Sequence, residues 1–283
     1  MIQIGKQVGD FLVKAEIRKG GMGTLYYALD TLLNREVALK VLHPHEALSK
    51  EELKKFRTEA MTQAQMNHPN IITLYCFSRI DDFDIIAMEY IKGTSMQEIL
   101  ATKSHFPLET AVHQLKQILR GLNYAHKRHI IHGDIKPGNI MITDENAIKL
   151  SDFGIARISG YPHIGSNGFP MGTAVYASPE QILGQALDQR SDIYSLGITF
   201  YEMVTGEFPF PVKSDSSIEI EQAHLKLKPV KPSIFNPKII PEIDEFILKA
   251  IQKKPEMRFQ SVIEMLETLD HLSISKKGGD YEN

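Results

Sequence analysis

A single cysteine, Cys76, stands among 283 residues, so no internal disulfide can form and a reducing compartment fits. No apolar run is long enough to span a bilayer and no signal peptide is visible; a cytoplasmic location with no membrane segment is expected. Charge of one sign is also lacking. The chain has 32 Lys and Arg against 35 Asp and Glu, a formal net charge of −3, which gives no basic surplus for nucleic acid or an anionic surface. Repeats and low-complexity linkers are absent. The eleven histidines are scattered; His129 and His132 share a segment, but no cysteine or second histidine pair completes a zinc set, and hydrogen-bonding roles are expected of them. What remains is a globular composition, 42% hydrophobic and 24% charged, in a chain long for one core, so two lobes are expected.

The texture changes along the chain. Runs at 11–19, 24–30 and 35–42 are rich in β-formers and separated by glycines or by Leu33-Asn34, and 71–79 and 84–90 add two more strands. Between them, 50–66 reads as a helix: Ser49 and Glu52 make a capping box and no Pro or Gly interrupts. Beyond Gly93, helices dominate. Pro107 opens a long one with Val112, Leu115, Ile118, Leu119 and Leu122 on one face. A hairpin is predicted over 139–143 and 147–150, then helices at 190–205, 216–227, 241–253 and 260–272, with a frayed tail after it. A hinge is expected near 89–93.

The densest chemistry lies in His132-Gly-Asp-Ile-Lys-Pro-Gly-Asn139. Asp134 can accept or orient a hydroxyl proton, Lys136 can offset charge on a moving phosphoryl group, and the amide oxygen of Asn139 can ligate a metal. Thirteen residues beyond Asn139 comes Asp152-Phe153-Gly154, a second carboxylate before a glycine. Upstream, Lys19-Gly-Gly-Met-Gly23 lies between two strands, where glycines let backbone N–H groups approach phosphate oxygens; most Gly-Gly pairs are only hairpin turns. Lys40 ends the third strand, and Glu59, nineteen residues on, can pair with it. Either residue alone reads equally well as a solvated charge.

Together, in this order, these motifs make the chain resemble a eukaryotic-type protein kinase over about 11–272. The resemblance implies an α+β, bilobal fold: a small antiparallel β-sheet N-lobe with one helix over 1–92, and a larger, mainly helical C-lobe over 93–272. It implies ATP and Mg2+ (with Mn2+ as a substitute), and a protein substrate with a serine or threonine acceptor. Residue by residue, Gly20, Gly21 and Gly23 fall in the phosphate loop, Lys40 holds the α- and β-phosphates, and Glu59 holds Lys40. Asp134 is the base with Lys136 beside it, and Asn139 and Asp152 are the metal ligands. Met88 precedes the hinge, Glu89 and Ile91 offer backbone groups to adenine, and Leu25, Ala38 and Met141 sandwich the base. Glu180 is expected to pair with Arg258, and Asp192 to anchor the catalytic loop. Lys136 and Thr173 match the serine/threonine branch, and Gly-Gly-Met-Gly, His68-Pro-Asn-Ile71 and Ser178-Pro-Glu-Gln181 look most like the eukaryotic-like kinases of bacteria.

Three departures stand out. Arg18 replaces the loop's first glycine and either lies across the nucleotide site or points outward. Gly133 replaces the arginine that meets a phosphorylated residue, so catalysis is expected not to depend on phosphorylation of 158–171. Gln63, one turn past Glu59, either finds a hydrogen bond and changes nothing or leaves the helix needing a partner or homodimer contact. Gly138 and Ser95 stand where basophilic relatives carry acids; Thr94 or Ser95 is expected to offer the ribose a hydroxyl. A nucleotide-binding scaffold with little catalysis, suggested by Arg18 and Gly133, and a small-molecule kinase are the alternatives. Retention of Lys40, Glu59, Asp134, Asn139 and Asp152 weighs against the first. The activation segment weighs against the second.

Overall fold

The computed structural model describes residues 2–20, 23–42, 57–58, 60–80, 83–153, 157–158 (backbone only), 174–212 and 216–272. The amino-terminal part is one antiparallel sheet built from β1 (Gln7–Val8), β2 (Phe11–Lys19), β3 (Gly23–Asp30), β4 (Arg35–Leu42), β5 (Leu74–Ile80) and β6 (Phe83–Glu89), in the order β1-β2-β3-β4-β6-β5. Side chains alternate across it, as the strand period of two requires. Val13, Tyr26, Ala28, Val37, Leu39, Ile85 and Ala87 pack on one face. Ala38, Leu42, Ile86 and Met88 pack on the other with Ala60 and Ile72. The turn predicted at Leu33-Asn34 is held by Asp30, which accepts from Leu33 N at 3.1 Å and pairs with Arg35 at 3.1 Å, while Asn34 takes φ +48°.

The predicted strand at 71–79 starts later, at Leu74. Residues 71–73 spend their backbone elsewhere: Ile71 bridges to Leu150 in parallel and Ile72 N donates to Leu150 O at 2.9 Å. Of the predicted helix at 50–66, the described residues 57–58 and 60–63 are helical. Gln63 is buried there, and its side-chain amide donates to Ile72 O at 3.0 Å, the hydrogen bond that one of the two expectations gave it.

After the hinge come β7 (Gly93–Ser95), α1 (Met96–Lys103), α2 (Leu108–His126), β8 (Ile130–Ile131), β9 (Ile140–Thr143), β10 (Ile148–Leu150) and β11 (Arg157–Ile158). Then follow α3 (Pro179–Ile182), α4 (Gln189–Thr205), α5 (Ser217–Lys226), α6 (Pro232–Phe235), α7 (Pro241–Ala250) and α8 (Val262–His271). The apolar face read on α2 is buried throughout. Helix α4 is buried almost all round and forms the axis of this part, capped by the Asp188 side chain and ended by Gly206 at φ +76°. Helix α1 was not among the predicted elements, although Ser95-Met-Gln-Glu98 carries its signal: Ser95 Oγ accepts from Glu98 N at 3.2 Å, and Glu98 Oε2 accepts from Ser95 N at 2.9 Å. The result is a bilobal α+β fold, with β7, β9 and β10 forming a small sheet at the junction.

Candidate active site

The segment from β8 to β9 is rigid because buried groups hold its backbone. Asp192, 0% exposed at the start of α4, accepts from His132 N at 2.9 Å and Gly133 N at 2.8 Å. It also accepts from His126 Nε2 at 2.7 Å. Burial works against charge on Asp192, but the hydrogen bonds from His126 and the Gly133 N–H hold its carboxyl below the usual carboxylate range. Asp192 therefore anchors the loop, as the resemblance implied. Gly133 has φ +74°, a left-handed conformation that glycine adopts without Cβ strain, and its carbonyl accepts from Gln181 Nε2 at 2.7 Å.

His132 is fully buried, its ring 4.3 Å from that of Phe153. Burial depresses its pKa, so the ring is neutral. Its bonds define the tautomer: Nε2–H donates to Ser151 O at 3.0 Å, and Nδ1 accepts from Asp134 N at 3.3 Å. This is the hydrogen-bonding role expected of it. His132 thus fixes the distance between the Asp134 segment and the residue preceding Asp152.

The Pro137–Asn139 turn folds the segment back on itself. Lys136 Nζ sits 2.8 Å from Asp134 Oδ2. Asn139 Nδ2 donates to Asp134 O at 2.8 Å and to Asp134 Oδ2 at 2.9 Å. With its nitrogen committed, the amide oxygen of Asn139 is the atom left to ligate a cation. Asn139 O in turn accepts from Ser151 N at 3.0 Å, tying it to the Asp152 segment. Asp152 adopts φ +54° and its carboxylate lies 3.0 Å from Lys40 Nζ. The charge of Lys40 is the main reason that the Asp152 carboxyl is held below its ordinary range, against the effect of burial. Asp134, Lys136, Asn139, Asp152 and Lys40 are thus linked by direct bonds and one shared backbone connection.

Lys40 leads back to the sheet. It pairs in register with Leu25, and Ala38 pairs with Met88. Leu25, Ala38, Met88, Ile91 and Met141 belong to one apolar cluster beneath the sheet, with Met141 contributed by β9. Glu89 N–H is spent on Thr73 O at 2.9 Å, so a backbone contact from Glu89 to a base must use its carbonyl. The Glu89 side chain was not singled out from sequence, yet it accepts from Thr73 N at 3.1 Å and pairs with Lys149 at 2.6 Å, joining the hinge to β10.

The glycine turn is closed by Gly20 N donating to Gly23 O at 2.8 Å. A Cβ on Gly23 would lie 2.2 Å from Val41 O, so this glycine is required by strand approach as well as by any phosphate. Gly21, Glu59 and Thr173, together with the 158–171 loop apart from the backbone of Ile158, lie outside the described residues. Arg18 is exposed, and its charge helps lower the Glu98 carboxyl, after the hydrogen bonds from Ser95. Ser95 Oγ donates to Glu98 Oε2 at 2.7 Å, so the hydroxyl expected to face ribose is engaged in the cap of α1. Ile17, missed from sequence, stands unpaired in the bulge between Glu16 and Arg18 and is 46% exposed, an apolar residue next to the Leu25 register.

On the far side, Glu180 and Arg258 form the expected pair, bidentate at 2.7 and 2.9 Å, with Arg258 2% exposed. Arg258 also donates to Gln252 O, Lys253 O and Arg190 O, and Ser191 Oγ donates to Glu180 at 2.7 Å, so this buried ion pair is fully satisfied.

A model of the protein kinase domain matches residues 11–271. The chain belongs to the protein kinase family. Among curated proteins it is 38% identical to a probable serine/threonine-protein kinase of Clostridium acetobutylicum, over 96% of this chain and 41% of that protein. It is 39% identical to serine/threonine-protein kinase PknB of Mycobacterium leprae, over 87% of this chain and 40% of the relative. Serine/threonine-protein kinase PrkC of Bacillus subtilis is 35% identical over 93% of this chain and 40% of that protein. The chain therefore spans about two-fifths of the length of these relatives. Among solved structures, the kinase domain of Mycobacterium tuberculosis PknI superposes with a TM-score of 0.74 at 26% identity, covering 95% of this chain and 99% of that one. These relatives support placement among the bacterial eukaryotic-like kinases. In a family that uses ATP with a divalent metal, the donors here fit a hard cation: a carboxylate held ionised and an amide oxygen, with phosphate oxygens and water to complete the shell.

Proposed function

We propose that this chain transfers the γ-phosphoryl group of ATP, with Mg2+, to serine and threonine hydroxyls of proteins, its own included. The observation that carries this reading is the Asp134–Lys136–Asn139 cluster linked through Ser151 to the Lys40–Asp152 pair. Asp134 Oδ2 is occupied by Lys136 and Asn139, which orients the carboxylate and leaves Oδ1 for the acceptor hydroxyl. As the acceptor oxygen bonds to the γ-phosphorus, its proton passes to Asp134. The bond from that phosphorus to the bridging oxygen breaks, and ADP departs with that electron pair. Lys136 lies where it offsets charge on the transferring group. Asp152 and the Asn139 amide oxygen would hold Mg2+, or Mn2+ in its place, which when bound would neutralise charge on the phosphates. Lys40 orients the α- and β-phosphates while keeping Asp152 ionised, and Glu59 is the residue proposed to hold Lys40. Gly20, Gly21 and Gly23 cover the phosphates. Leu25, Ala38, Met88 and Met141 enclose adenine, with the Glu89 carbonyl and Ile91 backbone along its edge. Most of the rate comes from positioning.

The lobes are taken as 1–92 and 93–272. A cytoplasmic site of action follows from the use of ATP; among the described residues no helix is long and apolar enough to cross a membrane. Since Gln63 is satisfied by Ile72, that residue gives no reason to require a homodimer. The test is transfer of labelled γ-phosphate from ATP with Mg2+, to the chain itself and to a generic basic protein, with wild type beside Asp134→Ala. Label in wild type alone supports the proposal. Absence of label in both, with ATP still bound, favours a nucleotide-binding scaffold.

A further inference from the structure

Arg18 carries a side chain where the kinase pattern has glycine, and the register of the sheet fixes the direction that side chain takes. Arg18 lies directly opposite Leu25, and Leu25 lies opposite Lys40. Residues paired across an antiparallel ladder project from the same face of the sheet. That face carries the candidate nucleotide site: Leu25 packs on the cluster that includes Ala38, Met88 and Met141, and Lys40 reaches Asp152 from it. Arg18 therefore projects on the cleft side, two strand spacings, roughly 10 Å, from the backbone of Lys40. Its side chain is exposed, so it stands at the open rim of the cleft and not beneath the sheet.

The start of α1 forms the facing rim. Ser95 pairs in register with Met141, the residue that β9 contributes to the same apolar cluster, and Glu98 follows in the first turn of the helix. The cap holds the Glu98 carboxylate in place: Oε2 accepts from Ser95 N at 2.9 Å and from Ser95 Oγ at 2.7 Å. Oε1 takes no part in the cap and remains an acceptor. The Ser95 hydrogen bonds are the main reason that the Glu98 carboxyl is lowered, and the charge of Arg18 adds to them, so the cation acts on this carboxylate across the cleft. Two opposite charges, one carried by each lobe, thus flank the opening above Leu25 and Met141.

We propose that Arg18 is a positioning residue that holds the glycine turn closed over a bound nucleotide by pairing with Glu98 across the cleft, and so slows nucleotide release. The proposal rests on the reading of this cleft as the ATP site. A glycine at position 18 has no side chain with which to span the opening, so the departure from the kinase pattern gives the chain a latch. The pair is exposed, and its effect is accordingly modest and weakened by salt.

The test is release of a fluorescent ADP analogue, with Mg2+, followed by stopped flow on chasing with unlabelled ADP. Glu98→Gln removes the charge and keeps the cap, because glutamine serves the same capping box. Arg18→Gln removes the cation without adding backbone freedom. Each should speed release about two- to fivefold, the range for an exposed pair, and the double variant should release no faster than either alone. Arg18→Lys should retain most of the slow release, and added salt should bring wild type towards the variants. The latch is overturned if ADP binds and neither single variant alters its release. It is overturned equally if the two effects multiply in the double variant, which would mean that Arg18 acts on the nucleotide independently of Glu98. A wild-type chain that binds no ADP would overturn the ATP-site reading and the latch with it.

Discussion

Lys40 and Asp152, 112 residues apart in sequence, are brought to 3.0 Å between Nζ and Oδ1, so the charge of one keeps the other ionised. Because the folded-state pKa of Asp152 is depressed, the charge needed for cation binding is present at neutral pH. It is lost only as pH falls through that lowered value. In Lys40→Ala the main cause of the depression disappears. The acid limb of the pH–rate profile should then move to higher pH, and transfer at neutral pH should fall by about 10²-fold or more. A variant whose acid limb stays in place would show that Lys40 acts on the phosphates alone.

Asp134 has a different signature. Its carboxylate is oriented by Lys136 and Asn139 and supports no part of the core. Asp134→Ala should lower turnover by roughly 10²- to 10⁴-fold, the range for loss of a positioned base. Nucleotide affinity by calorimetry and the urea midpoint should both stay close to wild type. Loss of nucleotide binding in parallel with turnover would assign Asp134 to the ground-state complex instead.

What could be read from sequence divides along physical lines. Strands β2 and β4 and the buried face of α2 are local patterns, and the structure places them where alternation and helical spacing put them. The order of Gly20, Lys40, Asp134, Asn139 and Asp152 was visible because each of these residue types suits phosphate or cation chemistry and their spacing repeats a family pattern. The Glu89–Lys149 pair and the Gln181–Gly133 bond were invisible. Each joins residues far apart in the chain, and neither leaves a spacing or composition signal. Ser95 shows the opposite failure. Its capping box with Glu98 was present in the letters, but a reading centred on ribose overlooked the helix start that claims its hydroxyl.

The Glu180–Arg258 pair predicts a pH-dependent defect. In wild type, burial raises the Glu180 carboxyl, but the hydrogen bonds and charge of Arg258 together with the Ser191 and backbone hydrogen bonds more than offset it. Its folded pKa is therefore depressed, and the stability that it contributes is lost as pH falls through that value. Arg258→Leu leaves a buried, uncompensated carboxylate and should cost about 3–5 kcal/mol at neutral pH. The sign then reverses. Burial, the largest influence on this carboxyl, is then opposed only by the Ser191 and backbone hydrogen bonds, so the folded pKa moves above the unfolded one; the variant loses stability as pH rises and should regain part of it in mild acid. Urea unfolding of both proteins on either side of the carboxylate range measures the crossover, and parallel pH curves would mean that Glu180 is not the group responsible.

Gly133 ties the loop's conformation to its regulation. At φ +74°, with its N–H on Asp192 and its carbonyl on Gln181, this residue holds the loop in place through backbone contacts alone. An arginine here would meet left-handed strain on the order of 1 kcal/mol and would add a cation able to grip a phosphorylated residue. Lacking that cation, the chain has no charge partner at this position through which a phosphate on Ser159 or Ser166 could order the loop. The double variant Ser159→Ala, Ser166→Ala should therefore retain wild-type turnover within about twofold. Gly133→Arg should make turnover depend on phosphorylation, lower in the unphosphorylated than in the phosphorylated chain, and adding Ser159→Ala, Ser166→Ala should hold it at the lower level. Abolished turnover of the double variant in the Gly133 background, with unfolding unchanged, would place an activating phosphate contact on some cation other than the one this position has lost.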